Sequence, residues 1–290
     1  MITRPLKEGN NNETHWPYLM EKIWHPEAIN MYQHLLASTP FFEVKIAEYL
    51  HEVESALKLR FKVFNLELHE GLESSFDTGF DSDVYDTFCD HLIVKSRETD
   101  EVVGTYRLLR QEKAEKSFGF YSENEFDLSR IKRLRLHGQT LELGRSCVAK
   151  EYRSLPVVNL LWVGIARYIE IHNIRAMFGC ASFHSTDDTE ISQAFACLHA
   201  HHFAPEQYRV FPSPRCTIAL VNSPQLADNE KLIFHKFSPL LKGYLRAGGM
   251  VCGEPACDRQ FGTTDFFTLL ETEKISEKYK NHYCKMAGAV

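Results

Sequence analysis

The apolar patterning of this 290-residue chain predicts a mixed α/β fold, with meandering strands first and one long crossover helix after them. Three observations carry that expectation. His91–Ser96 and Val102–Leu109 read as strands joined by the polar turn Arg97-Glu98-Thr99-Asp100, the pattern of a hairpin. Val157–Ile174 is apolar almost all round, which suits a buried helix rather than a surface one. On either side of it, Leu141–Val148 and Ala176–Phe183 have the residue types of strands.

The remaining elements follow in order. Phe41–Tyr49 alternates like a strand, and His51–Leu68 places Val53, Ala56, Leu57, Phe61 and Phe64 at amphipathic-helix spacing. Gly71–Asp90 is acidic and loop-like, and Phe126–Leu136 is a basic helical segment. Past residue 185, helices near 188–204 and 239–248 alternate with strands at Met250–Cys252 and Phe266–Leu270. Residues 1–40, Asn-rich and then aromatic (Trp16, Tyr18, Trp24, Tyr32), read as an extension packed on the main domain. The expected division is an N-terminal extension (1–40), a core (41–185) and a C-terminal α/β extension packed on that core (186–290).

Composition narrows the class. Hydrophobic residues make up 44% and charged residues 25%, the balance of a globular protein. A net charge of −6 argues against a nucleic-acid partner. Two local basic patches stand out against it, Lys58/Arg60/Lys62 and Arg130/Lys132/Arg133/Arg135. The eight cysteines lack paired metal spacing, and His199, His201 and His202 lack the i, i+4 pair of a zinc helix, so no metal site is expected. The start of the chain has no charged-then-apolar signal segment, and no apolar run reaches bilayer length. A cytoplasmic protein with reduced thiols is the expectation.

The segment Leu141-Glu142-Leu143-Gly144-Arg145-Ser146-Cys147-Val148 is the most informative. It sets a carboxylate and a guanidinium three residues apart within an apolar strand. In period-2 geometry Glu142 and Arg145 fall on opposite faces unless a bulge shifts the register. The plain alternative is an edge strand carrying a surface ion pair. A bulge would suit acyl transfer, because it frees a backbone N–H to point at a reacting carbonyl oxygen.

Four motifs in order then resemble the acyl-homoserine-lactone synthase branch of the GNAT acyltransferase superfamily. They are Arg60-Phe61-Lys62-Val63-Phe64, Asp83-Val84-Tyr85-Asp86, Gly104-Thr105-Tyr106-Arg107-Leu108-Leu109 and Glu142-Leu143-Gly144-Arg145. Longer segments are similar to the ornithine-lipid N-acyltransferases, some of them called haemolysin-like. These are Cys89–Val94, Gly119–Ser122 with Glu125–Ser129, Leu141–Val148, Phe178–Phe183 and Pro239–Arg246. The resemblance implies a GNAT-like, mostly antiparallel sheet flanked by helices. It further implies transfer of a 3-hydroxyacyl chain from acyl carrier protein to the α-amine of ornithine, without a resident cofactor. Sibling readings are another N-acyl amino acid synthase (for example on glycine) or an acyl-homoserine-lactone synthase. A membrane-active toxin or an inactive carrier-binding module are readings of other classes, and no signal segment, spanning run or strongly cationic amphipathic helix supports the toxin.

Roles follow from that chemistry. Glu142 is the candidate general base, directly or through one water, or else it orients Arg107 or Arg145 through an ion pair. Arg107 or Arg145 would hold the acceptor's carboxylate. Asp83 and Asp86 would bind the distal ammonium, or organise the loop by pairing with Arg60 and Arg107. His91 is either a second acid/base or a core histidine. Backbone N–H groups near Cys147 and Val148 would meet the oxyanion, the Cys147 thiol itself reading as structural. Phe64 and Ser182 complete the substrate contacts, and Phe118, Phe120, Tyr121 and Trp162 read as core or as the wall of an acyl tunnel. The segment Arg153–Asn159 lacks the glycines of a pyrophosphate cradle, which favours carrier-protein pantetheine over CoA. Arg153 with the N–H groups of Val157–Asn159 would hold its single phosphate. Arg130, Lys132, Arg133 and Arg135, helped by Lys58 and Lys62, would dock the acidic carrier protein, and the lipid product implies peripheral contact with the inner membrane.

Overall fold

The computed structural model describes residues 34–133, 139–154, 156–221, 230–259 and 261–275. The aromatic residues Trp16 to Tyr32, together with Arg135, lie outside the described residues. Nine strands form one twisted sheet: β1 (Leu35–Ser38), β2 (Phe42–Ile46), β3 (Asp90–Ser96), β4 (Val102–Arg110), β5 (Gln139–Val148), β6 (Ile174–Phe183), β7 (Met250–Val251), β8 (Ala256–Asp258) and β9 (Thr263–Glu271). Their spatial order is β1-β2-β3-β4-β5-β6-β9-β8, with β7 also on β9. Every neighbouring pair is antiparallel except β5 and β6, which run parallel.

That parallel pair requires a crossover, and α2 (Val157–His172) supplies it. Asn173 ends the helix in the left-handed conformation, φ 51°, its N–H turned back to the Ile169 and Glu170 carbonyls. Gly164 lets α2 sit close to the sheet: a Cβ there would come within 2.7 Å of Leu92 and 2.8 Å of Val44. Val44, Leu92, Val94, Leu108, Leu141, Leu143 and Val163 form the core on this face. On the other face lies α1 (Leu50–Arg60), preceded by a loop that packs Ala47 beside Val53, Leu57 and Ile93.

α1 does not stop where its α-helical bonding stops. It widens into a π-helical segment, Phe61–Glu67, a geometry often found at functional sites. The buried Asn65 donates to the Leu72 carbonyl and so anchors the exit of that segment.

Two features depart from the sequence expectation. β1 and β8 are short strands without clear alternation, and both join the main sheet. The C-terminal region does more than pack against the core. β9 pairs with β6 over eight residues, Thr264 opposite Phe183 through Glu271 opposite Ala176. β5 therefore lies between β4 and β6 in the middle of the sheet, so the edge-strand reading of Glu142 and Arg145 is overturned. α3 (Asp188–His202) and α4 (Pro239–Ala247) cover the β6–β9 side, and His199, His201 and His202 sit at the accessible end of α3.

Candidate active site

The site begins with a bulge in β5. Thr105 lies opposite Cys147 and Arg107 opposite Gly144, so two steps along β4 match three along β5. Arg145, within the extra turn, has φ 51°, a conformation costing roughly 1–2 kcal/mol for a residue with a Cβ. Its side chain is fixed on several sides. Nη2 donates to Asp81 at 2.6 Å, and the guanidinium lies 5.1 Å from the Phe64 ring centroid and 4.5 Å from that of Phe261. The bulge shifts the side-chain alternation by one. Leu143 and Val148, five residues apart, both join the core beneath α2, while Glu142 and Arg145 face the other side.

β5 and β6 separate just there. Their pairing ends at Glu142 opposite Phe178, and beyond it each strand continues with only its other neighbour. Gly179 tolerates the last close approach, since a Cβ would meet the Leu143 carbonyl oxygen at 2.3 Å. A cavity of about 520 Å³ opens in the splay and draws its wall from both faces of the sheet. One part is apolar (Tyr106, Val158, Leu161, Trp162, Leu240). The other is polar and includes Glu142, Arg145, Ser182, Asp258 and Asp265.

Glu142 is buried where these parts meet. One carboxylate oxygen accepts the Tyr121 N–H at 2.7 Å, and the other accepts the Ser122 N–H at 2.7 Å and its hydroxyl at 2.5 Å. Burial raises its pKa despite those donors and the nearby Arg107. No ion pair joins Glu142 to Arg145 or Arg107 among the described residues. The expected orienting ion pair is thus absent, because Asp81 takes Arg145 and Asp83 takes Arg107.

Behind the cavity wall the charges alternate in a chain. Arg145 pairs with Asp81, which binds Arg60 at 2.7 Å; Arg60 binds Asp86 at 2.6 Å; Asp86 reaches Arg107 at 3.3 Å; and Arg107 holds Asp83 at 2.7 Å. Arg60 is 1% exposed. Burial opposes the ionised form of Asp86, but Arg60, Arg107 and His91 outweigh it and hold that carboxyl far below the usual range. His91 lies 3.3 Å from the Asp86 carbonyl, and burial lowers its pKa from the ordinary value.

A third group was not singled out in the sequence. Glu125, Cys180 and Asp265 bring their polar atoms within 4.8 Å of one another. Burial, then mutual repulsion and the neighbouring Asp258, push the Glu125 carboxyl up strongly, and burial raises that of Asp265. The pair keeps a proton through neutral pH. Cys180 donates to the Ser122 hydroxyl at 3.3 Å, and burial holds its thiol well above the ordinary value.

Of the residues expected from sequence, Glu142, Arg107, Arg145, Phe64, Cys147, Val148, Ser182 and Arg153 line the cavity. Asp83, Asp86, Arg60 and His91 do not; they form or brace the charge chain behind it. Asp86 spends both oxygens on Arg60 and the Asp83 N–H, so the distal-ammonium role read for it is corrected. Burial pushes the Cys147 thiol up to about 12. Arg153 donates to the Val148 carbonyl and to Glu67. Arg130, Lys132 and Arg133 lie on a short helix (Ser129–Arg133) away from this cavity, Lys132 paired with Glu123. Lys58 and Lys62 are exposed on α1 and its extension, Lys58 lying over the Phe80 ring. The residues overlooked were Asp81, Glu125, Asp258 and Asp265. A signal existed for the last of these, a carboxylate inside the apolar run Thr264-Asp265-Phe266-Phe267.

Comparison with known proteins agrees with this geometry. Residues 59–163 match the family model described as "Acetyltransferase (GNAT) domain". The L-ornithine N(alpha)-acyltransferase of Brucella abortus (strain 2308) is 41% identical over 249 residues, covering 83% of this chain and 88% of that protein. The protein of the same name from Rhizobium meliloti (strain 1021) is 36% identical over 252 residues, 85% of each chain. Among solved structures, a CoA-dependent acyl-homoserine lactone synthase, BjaI, superposes with a TM-score of 0.48 at 15% identity over 83% of each chain. With a GNAT domain around the splay and relatives this similar along more than four-fifths of its length, the chain is an acyltransferase and belongs to the L-ornithine N(alpha)-acyltransferase family.

Proposed function

We propose that the chain transfers a 3-hydroxyacyl group from acyl carrier protein to the α-amine of ornithine, giving the lyso form of an ornithine lipid. The observation that carries this reading is the cavity in the splay. It joins an apolar part suited to an acyl chain to a buried carboxylate and a guanidinium suited to an amino acid. The names of the relatives supply the acceptor.

In this reading Arg145 takes the acceptor's carboxylate, since its Nε has no partner while Nη2 is held by Asp81. The α-amine, with an ordinary pKa near 8, must lose a proton to attack. Glu142, raised in pKa by burial and fixed by three donors, accepts it directly or through a water. The amine nitrogen bonds to the thioester carbon, and the oxyanion is met by N–H groups after the bulge, at Cys147 or Val148. The C–S bond then breaks, the nitrogen's second proton passes to the departing thiolate to give the thiol and the amide, and the first proton leaves Glu142 for solvent.

The donor arm enters beside α2. Arg153 and the first N–H groups of that helix would receive the pantetheine phosphate, while the helix bearing Arg130 and Arg133 would meet the acidic carrier protein. Leu66 and Phe76, both exposed near the π-helical segment that lines the cavity, offer apolar contact with the inner membrane into which the product would pass.

The test is direct. Purified protein is given equal amounts of ornithine, glycine and homoserine with 3-hydroxyacyl carrier protein or the matching acyl-CoA, and products are identified by mass. N-acylornithine should dominate with the carrier-protein donor. Acylglycine or N-acylhomoserine as the main product would displace the ornithine reading, and equal rates with acyl-CoA would displace the carrier protein.

A further inference from the structure

The acidic end of the cavity has a feature that the mechanism above does not use. Asp265 on β9 is 4% exposed, lines the cavity, and no donor reaches its Oδ1. Glu125 is 5% exposed, and no donor reaches its Oε2. Asp258 stands on the same wall. A surface cluster of acids would be solvated, but this group is enclosed. Carboxylates in such a place need a positive charge, and between Glu125 and Asp265 a shared proton supplies it.

We propose that Asp265, with Glu125 beside it and Asp258 on the same wall, is the subsite for the side-chain ammonium of the acceptor amino acid. The assignment rests on the reading of ornithine as acceptor, and it makes these residues determinants of specificity. Geometry supports it. Glu142, Cys180 and Asp265 lie on three adjacent strands, β5, β6 and β9, with Ser122 touching both Glu142 and Cys180. The Glu142 carboxylate is 2.5 Å from the Ser122 hydroxyl, that hydroxyl is 3.3 Å from the Cys180 sulfur, and the sulfur lies within 4.8 Å of an Asp265 oxygen, a separation within reach of a four-carbon diamine hydrogen-bonded at both ends. One end of ornithine then lies at the base and the other at the acid pair.

Charge bookkeeping explains the selectivity. One proton on two carboxyls leaves a net charge of −1. When the ammonium arrives and the proton leaves, two carboxylates and one cation again sum to −1. An acceptor with an apolar side chain of the same length brings no cation. It must leave the pair protonated and bury its methyl group against carboxyls, so the site rejects it. A divalent cation is the competing occupant, since Glu125, Cys180 and Asp265 are close enough to hold one. Cys180 argues against it, because the thiol proton is already donated to Ser122 and burial holds it on.

Isothermal calorimetry of the full chain with ornithine and with norleucine, the isostere whose terminal methyl replaces the ammonium, tests the subsite without needing turnover. Ornithine should bind at least about 100-fold more tightly, a floor set below the roughly 10⁴–10⁵-fold by which sites built for a polar group reject analogues lacking it. Its binding should release close to one proton, read from the difference between buffers of unlike ionisation enthalpy. Asp265→Asn should bring the ornithine-to-norleucine ratio to within about threefold, and Glu125→Gln should abolish the proton release even if Asp265→Asn fails to fold. Equal affinities in the wild type, or ornithine binding without proton release, overturn the proposal. So does tight stoichiometric Zn²⁺ binding that blocks ornithine and is lost in Asp265→Asn. Selective, proton-linked ornithine binding without any N-acylornithine formed would instead remove the acyl-transfer reading and leave the subsite standing.

Discussion

Two groups of buried charge flank the same cavity and are built on opposite plans. The chain Arg145–Asp81–Arg60–Asp86–Arg107–Asp83 alternates three cations with three anions, each within about one hydrogen bond of the next. In the Glu125–Asp265 pair one oxygen of each carboxyl lacks a donor among the described residues, and the pair holds a proton. A saturated network fixes geometry, here the loop Gly79–Thr87 against α1 and β4. An unsaturated one has capacity left for a ligand. The sequence motifs are dense in the first group, where Arg145 Nε is left open for an anion, and the second leaves open the carboxylate oxygens that a cation would need.

Three experiments sharpen that contrast. The largest effect is expected at Glu142, between the two groups. Glu142→Gln should lower kcat by about two to four orders of magnitude, the usual scale for losing a general base, while keeping thermal stability near wild type. A rate within threefold of wild type across the pH range would move the base elsewhere.

Next comes the saturated chain. Arg60→Met leaves Asp81 and Asp86 buried without their shared cation, and urea unfolding should show a loss of about 3–5 kcal/mol. Lower pH should narrow the gap. Because the folded state depresses the Asp86 pKa, its contribution is present above the unfolded value near 3.9 and fades as pH falls through the folded one. A loss under 1 kcal/mol at pH 7 would mean that the network contributes little to the fold.

The smallest effect concerns the unsaturated pair, and its sign is reversed. Burial raises both carboxyl pKa values, so their favourable contribution is complete below the unfolded values and declines as pH rises through the folded ones. Glu125→Gln removes one titrating group and should gain about 1 kcal/mol on the wild type between pH 5 and pH 9, a tenfold change in proton affinity being worth about 1.4 kcal/mol. Parallel stability curves for the two proteins would show that the pair does not share a proton.

Local pattern made much of this architecture legible. The hairpin β3–β4, the crossover α2 and the strands β5 and β6 followed from periodicity, and a carboxylate and guanidinium three apart in one strand pointed to the bulge. Pairings distant in sequence were not legible. Nothing near Arg60 announces Asp81, and the pairing of Asp86 with Arg60 and Arg107, 26 and 21 residues away, stood only as the alternative to an ammonium-binding role. Asp265 was missed for a different reason. Its strand reads as buried in the sequence, and the charge within it is the same kind of anomaly that marked Glu142, but it lies beyond the segments that resemble the family.

The pairing of β9 with β6 also bears on how the protein is made. Thr268 donates to the Gly179 carbonyl across 89 residues, so this strand is inserted only after most of the chain has left the ribosome. Such long-range pairing is slow to form. Until it forms, β6 is an open edge with unpaired N–H and C=O groups, able to capture a strand of another chain. Synthesis interrupted before Thr263 would leave a nearly whole sheet that lacks Asp265 and is prone to aggregate. Among the described residues, the last long strand in the sequence closes the vulnerable edge and adds Asp265 to the polar wall of the cavity in one step.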